Sequence, residues 1–367
     1  NAVDQGGKFF EKKFTLYIND LPEAPDGLSV SSSSLERNIS PGEVISTLRS
    51  ADQDFGDTHT YSLVEGIGDT DNSAFTIVGD QLKINITPDY EAQDSYSVRI
   101  KTEDSVGLRF EKAFIFTVSN TIRSSTNKAL PTNVENLVLI GTGNLKGYGN
   151  SSNNRLTGNS GNNVLDGKGG VDVMKGNTGN DTYIVNHVND KVIEKADGGT
   201  DTIRSSVSET LSANVENLVL TGTGNLKGYG NSGNNRLTGN AGNNLLDGKA
   251  GIDVMTGNGG NDIYIVNHVS DRVIEKAKGG TDTIRSSVNE TLSANVENLV
   301  LTGTGNLKGY GNSGKNRLTG NAGNNLLDGK GGIDVMTGNA GNDTYIVNHA
   351  NDRVIEKANG GTDTIRS

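Results

Sequence analysis

The sequence predicts an all-β chain: a β-sandwich followed by a parallel β-roll or β-solenoid of three near-identical units. Three observations predict it. Residues 21–121 carry short runs of alternating apolar and polar residues between turn residues. From residue 122 the sequence repeats with a period of 81, which carries Gly149 onto Gly230 and Gly230 onto Gly311. Within each repeat a block divides into four nines, which from Gly230 to Ile265 read GNSGNNRLT, GNAGNNLLD, GKAGIDVMT and GNGGNDIYI. In these nines Gly stands at positions 1 and 4, Asn or Asp at position 6, and Leu, Met or Tyr at position 8. A short period nested in a long one marks a repeat architecture, in which each unit buries its apolar face only against its neighbours.

Residues 1–20 read as one spare strand. Asp4–Asp20 matches Asp104–Asn120 at an offset of 100, with Phe10, Phe14 and Leu16 answering Phe110, Phe114 and Phe116. The match suggests the last strand of a preceding copy of the next domain. Alternatively, residues 8–18 are a donor strand that completes a neighbour's sheet. In residues 21–121 the alternating runs are Leu28–Val30, Val44–Leu48, His59–Leu63, Ala74–Val78, Gln81–Ile86, Tyr96–Lys101 and Phe110–Val118. Seven strands in so short a span is the pattern of an immunoglobulin-like sandwich. Acidic residues gather at the strand ends: Asp20 beside Asn19, Glu36, Asp52 and Asp54, Asp89 and Glu91, and Asp104. Carboxylates that converge repel one another unless a hard cation takes their oxygens.

The repeating units are 122–202, 203–283 and 284–367, the last including the start of a next unit. Units two and three differ at eight positions. Each nine suits a short strand with one large side chain turned inward, followed by a turn, so two nines complete a flattened coil. Gly at positions 1 and 4 admits unusual turn conformations and close backbone approach. Coils made of two nines do not divide the longer period evenly, because a unit holds nine nines and therefore an odd half-coil. Either the part of each unit outside the block forms larger coils, or successive blocks face opposite edges. Both ends of the chain read as cut from something longer, since Asp363–Ser367 copies Asp282–Ser286.

The position-6 residues are Asn154, Asn163, Asp172 and Asp181 in unit one, Asn235, Asn244, Asp253 and Asp262 in unit two, and Asn316, Asn325, Asp334 and Asp343 in unit three. Same-edge pairs within a block therefore join one Asn to one Asp. Such a pair offers one formal charge and predicts weak cation sites, roughly 10⁻⁴–10⁻³ M. The position-9 acids Asp166, Asp247 and Asp328 could add charge.

The net charge of −11 argues against nucleic acid and anionic membranes as partners and suits cations. There is no cysteine, and no run is apolar enough to span a bilayer. No catalytic set is legible, so the chain reads as a non-enzyme. His187, His268 and His349 recur after YIVN and read as solvated turn residues, because a catalytic site seldom needs three tandem copies. Ser205-Ser206 and Ser286-Ser287 have no His or acid at triad spacing.

The blocks resemble the haemolysin-type, or RTX, calcium-binding repeat. That resemblance implies calcium ions held by the position-6 residues between stacked turns. Residues 21–121 resemble a cadherin-type domain, on the Asn19-Asp20…Ala24-Pro25 linker, Glu36, the DxD of Asp52 and Asp54, and Asp89-Tyr90-Glu91. This second resemblance implies calcium at one junction held by Asn19, Asp20, Asp52, Asp54 and Asp104, and at the other by Glu36, Asp89 and Glu91. Together they imply a secreted bacterial surface protein, a calcium-stabilised structural or adhesive part of a fibre, sheath or adhesin, with self-association or a cell-surface or matrix partner. The alternative is the non-catalytic calcium module of a secreted enzyme.

Overall fold

Short β-branched and apolar runs between Gly, Asn and Asp turns form strands throughout. In the computed structural model the chain forms two compact units, Asn1–Asn120 and Thr121–Ser367. The structure describes residues 2–3, 9–10, 12–15, 21–37, 39–54, 56–90, 92–357 and 360–367. It is all-β, with a single-turn 3₁₀ helix at Asn72–Ala74 among the described residues. No described helix is long and apolar enough to cross a membrane.

In the first unit two four-stranded sheets face each other. One runs, in spatial order, through Ser34–Glu36, Arg109–Ser119, Ser95–Glu103 and Thr60–Leu63. The other runs through Gly27–Val30, Val44–Ala51, Gln81–Ile84 and Phe75–Val78. To the seven expected strands the structure adds an eighth, Ser34–Glu36. Gly27–Val30 pairs antiparallel with Val44–Ala51, whereas Ser34–Glu36 crosses to the other sheet and pairs parallel with Arg109–Ser119. Residues 31–33, all serine and with no apolar side chain to bury, form the crossing. Leu35, Leu82, Ile84, Val98, Ile100 and Phe116 fill the space between the sheets. Phe75 packs edge-on against Tyr96, ring centroids 6.2 Å apart. Ahead of this, Ala2–Val3 pairs antiparallel with Phe9–Phe10. The segment expected to exchange strands, 8–18, is described only at 9–10 and 12–15.

The second unit is a parallel β-solenoid of about 14 coils. Each strand turns one or two side chains inward, and these stack in register: Leu165, Tyr183, Ile203, Leu218, Leu237, Met255 and Val273 form one column. Within the blocks this is the residue at position 8, and Ile203, Leu218 and Val273 carry the column on between them in a single continuous core.

The choice between larger coils and alternating blocks resolves to alternation. Inside a block successive strands on one face are offset by 18 in sequence, as in Arg236↔Val254. Outside it the offsets are 20 (Thr182↔Thr202), 15 (Thr202↔Asn217) and 19 (Asn217↔Arg236). Long and short coils offset each other, the mean stays at 18, and each unit keeps its odd half-coil. Consequently the strand Thr202–Ser205, which opens unit two, continues the face formed by Val164–Asp166 and Thr182–Val185 in unit one.

The half-coil leaves a seam. Arg272–Ile274 ends a nine-stranded sheet, and Glu290–Thr291 begins a separate five-stranded one. A cavity of about 410 Å³ lies between them, lined by Asp271, Ile274, Glu275, Glu290, Thr291 and Ala294. On the opposite face the ladder runs through the same coil without interruption, from Ile263–Val266 to Thr283–Ser286 to Asn298–Leu301.

Candidate metal centre

The side chain at position 6 sits at the start of each short strand, where the turn folds back towards the preceding coil. Each Asp there reaches one coil back and accepts a hydrogen bond from a backbone N–H, whereas each Asn accepts from an N–H of its own turn. Asn235 N–H donates to Asp253 Oδ1 (2.7 Å), and Asn244 N–H donates to Asp262 Oδ1 (2.6 Å). The same bonds join Asn154 to Asp172, Asn163 to Asp181, Asn316 to Asp334 and Asn325 to Asp343.

The Asn and Asp members differ in their second polar atom. Asn235 accepts from Asn231 N–H through Oδ1 (2.7 Å) and donates through Nδ2 to the Val215 carbonyl (3.2 Å). Asn244 accepts from Asn240 N–H (2.8 Å) and donates to Asn240 Oδ1 (3.0 Å). Asn154, Asn163, Asn316 and Asn325 likewise have both amide ends engaged. By contrast, Oδ2 of Asp172, Asp181, Asp253, Asp262, Asp334 and Asp343 is buried without a hydrogen-bond partner. A buried anionic oxygen left this way costs several kcal/mol, roughly, unless a cation takes it. The turn keeps space for it: a Cβ on Gly248 would occupy the position of Asp253 Oδ2. That is the specific need for Gly at position 1. Position 4 needs Gly for another reason, since Gly251 has φ +116° and a Cβ there would meet the Gly233 carbonyl.

The ladder continues past the block. Asp172 N–H donates to Asp190 Oδ1 (2.9 Å), and Asp181 N–H donates to Asp201 Oδ1 (2.7 Å). Asp201 N–H in turn donates to Glu216 Oε2 (2.8 Å). Units two and three repeat this with Asp271, Asp282 and Glu297, and with Asp352 and Asp363. The mixed Asn/Asp pair is therefore only half of each neighbourhood. Every position-6 Asp has a second acid on its other side, so the local charge is twice what the block alone suggests. Asp190 keeps the regular offset of 18 from Asp172 and could have been found by it. Asp201 was hidden because its offset from Asp181 is 20, two more than the frame predicts.

At one place per unit three carboxylates converge. One oxygen each from Asp181, Glu194 and Asp201 lie within 4.8 Å of one another, as do those of Asp262, Glu275 and Asp282, and of Asp343, Glu356 and Asp363. Tyr264 OH donates to Glu275 Oε1. Burial pushes Asp262 up to about 6 and Glu275 up to about 7, with the neighbouring Asp282 charge adding to both. Asp181 and Glu194 rise to about 7 for the same reason. Asp172 and Asp253 rise to about 6, burial first and then the Asp190 or Asp271 charge.

In the sandwich, Asp52, Asp57 and Asp104 form a further group of this kind. Asp104 Oδ1 accepts from Val106 and Leu108 N–H (both 2.9 Å), and its Oδ2 is buried without a partner. Asp52 Oδ2 lies 2.8 Å from His59 Nε2. Asp57 was not among the expected residues. Asp54, which was, instead accepts from Glu23 N–H (2.7 Å). Glu36 and Asp89 are exposed and join no such group among the described residues. Asn19, Asp20 and Glu91 lie outside the described residues. The position-9 acids serve elsewhere: Asp247 pairs with Lys249 (3.5 Å), whose ammonium lies over the Tyr229 ring. His268 accepts from Ser270 N–H through Nδ1 (3.1 Å), a turn contact.

Three segments, 148–183, 229–264 and 310–345, match the family model of the RTX calcium-binding nonapeptide repeat. The blocks are calcium-binding repeats of a structural module, and calcium is the ion they take. The unpartnered Oδ2 atoms fit that ion, a hard cation served by oxygen ligands. No curated protein matches the chain. Among solved structures, human mucin-like protocadherin EC1-2 aligns with 22% identity over 30% of this chain, with a TM-score of 0.19. The alignment spans 57% of that protocadherin chain.

Proposed function

We propose that the chain is part of a secreted, calcium-stabilised structural or adhesive protein of a bacterial surface, a scaffold in a fibre, sheath or adhesin. The observation that carries this reading is the row of buried position-6 oxygens without partners. In the absence of an ion they oppose folding; with calcium they bind it only in the folded form, which mass action then stabilises. Secretion supplies the ion, because weak oxygen sites fill at extracellular calcium levels of roughly 10⁻³ M. We assign Asp172, Asp181, Asp253, Asp262, Asp334 and Asp343 as ligands, and Asp52, Asp57 and Asp104 as a separate cation site in the sandwich. Glu36, Asp89 and Glu91 remain a proposed second cation set of the sandwich, and Asn19 and Asp20 proposed further ligands of the first.

Calorimetry with calcium and with chelator tests the reading. The solenoid transition is expected to fall by about 10 °C in chelator, since losing about 0.4–1.4 kcal/mol per site, at calcium of roughly one to ten times Kd, accumulates over several sites. An unchanged transition would sink it. Sedimentation in calcium separates the structural role from that of an enzyme's accessory module: assembly into multimers supports the first, and a monomer at all concentrations supports the second.

A further inference from the structure

The geometry points to a second class of cation site, lying at the seams and built mainly outside the nonapeptides: Asp262, Glu275 and Asp282, with its copies Asp181–Glu194–Asp201 and Asp343–Glu356–Asp363. Each copy holds one hard divalent cation. The inference rests on the calcium reading above but names a different kind of site. A position-6 site draws on backbone and one or two Asp, whereas here three carboxylates from three separate turns meet.

Two observations beyond the cluster point to a ligand. Asp262 Oδ2 and Asp282 Oδ2 have no hydrogen-bond partner, and these residues are 1% and 0% exposed. The same holds for Asp181 and Asp201, at 1% and 0%. The pocket is also held open by its neighbours. Asp262 N–H orients Asp282 through its Oδ1 (2.8 Å), and Lys276 N–H orients Glu275 through its Oε2 (3.0 Å). The Tyr264 hydroxyl holds Glu275 Oε1, and a Cβ on Gly257 would collide with Asp262 Oδ2, Tyr264 OH and Glu275 Oε1. None of the described ion pairs brings a Lys or Arg to these three carboxylates.

The position in the fold gives the site a task. Glu275 follows Arg272–Ile274, the last strand of its sheet, and lines the cavity where strand pairing on that face is interrupted. Asp282 precedes Thr283–Ser286, the strand that opens the next unit. An ion here ties the final nine of one block to the first strand of the next at the coil where strand pairing is interrupted on one face. Since affinity for calcium rises with ligand charge, these sites, which take in the last position-6 Asp of each block, fill before the sites at Asp172, Asp253 and Asp334.

Tyrosine provides the readout, because the chain contains no Trp. Terbium(III), a hard cation of similar size, emits when an excited phenol lies nearby, and Tyr183, Tyr264 and Tyr345 each bond a proposed ligand. The first terbium ions bound are expected to show strong sensitised emission. The Y183F/Y264F/Y345F variant should lose most of it while binding as many ions. The E194Q/E275Q/E356Q variant keeps the size of each Glu and removes its charge, with the amide NH2 placed towards the Tyr hydroxyl, and should bind three fewer calcium ions in equilibrium dialysis. Should it fail to fold, E275Q alone should lose one. An ion count and early emission equal to wild type in folded Glu→Gln protein would overturn the seam site and leave the position-6 sites standing. A wild-type chain that binds no calcium would overturn both.

Discussion

The two halves of each nonapeptide block share a backbone and differ in chemistry. In the first half Asn235 and Asn244 close their turns with hydrogen bonds at both ends of the amide. In the second half Asp253 and Asp262 accept through Oδ1 from a backbone N–H one coil back and leave Oδ2 buried without a partner. The fold accepts either. One atom, an amide nitrogen in place of an oxygen, decides whether a coil stands alone or needs an ion. Calcium dependence is thus concentrated in the second half and at the seams, and the Asn turns form a self-sufficient stretch between them.

Exchanging the two halves is the most severe test. Asn244→Asp puts a carboxylate against Asn240 Oδ1, which now accepts from the Asn244 amide. In chelator this should cost about 3–5 kcal/mol, and less in calcium. Asp253→Asn should do the reverse: one ion fewer, and a chelated protein more stable by roughly 1–3 kcal/mol. Urea unfolding in both conditions measures each. If Asp253→Asn destabilises the chelated protein, the two halves do not differ as described.

A smaller effect follows from pH. Asp253 at about 6 and Glu275 at about 7 lie above the unfolded carboxyl range of about 4. A raised folded pKa means the folded chain holds protons more tightly. In chelator, the stability these groups contribute is therefore complete below about pH 4 and is lost as pH rises through about 6 to 7. Calcium competes with those protons, so the gap in melting temperature between calcium and chelator should widen from about pH 5 to about pH 8. A constant gap would detach the ion from these carboxylates. The smallest effect is at the surface. Lys249→Ala removes the contact of Lys249 with Tyr229 (4.7 Å) and Asp247, at under about 1 kcal/mol and alike in calcium and chelator.

The nested periods made the solenoid, its inward column and the six Asp legible in advance, because one residue in nine must fill a narrow core. Two kinds of feature escaped. Asp201, Asp282 and Asp363 stand off the nine-residue frame, displaced by the lengthened coil before each of them, and only the register of the strands brings them under Asp181, Asp262 and Asp343. Glu194, Glu275 and Glu356 reach their sites from loops, where the nine-residue frame does not apply. In the sandwich, Asp57 approaches Asp104 across a loop whose path short-range alternation does not encode. The strand Ser34–Glu36 escaped as well, because the serines at 31–34 break the alternation ahead of it and leave Leu35 as its single apolar residue.

The half-coil carried by every unit makes the solenoid sensitive to parity. Inserting or deleting one unit turns everything beyond it through half a revolution, so a surface that faced one way faces the other. Two units together restore the original direction. A lineage that lengthens this rod by copying single units must therefore either tolerate partners on both flanks or keep its count even or odd. Comparing the unit numbers of natural variants would show which constraint has operated.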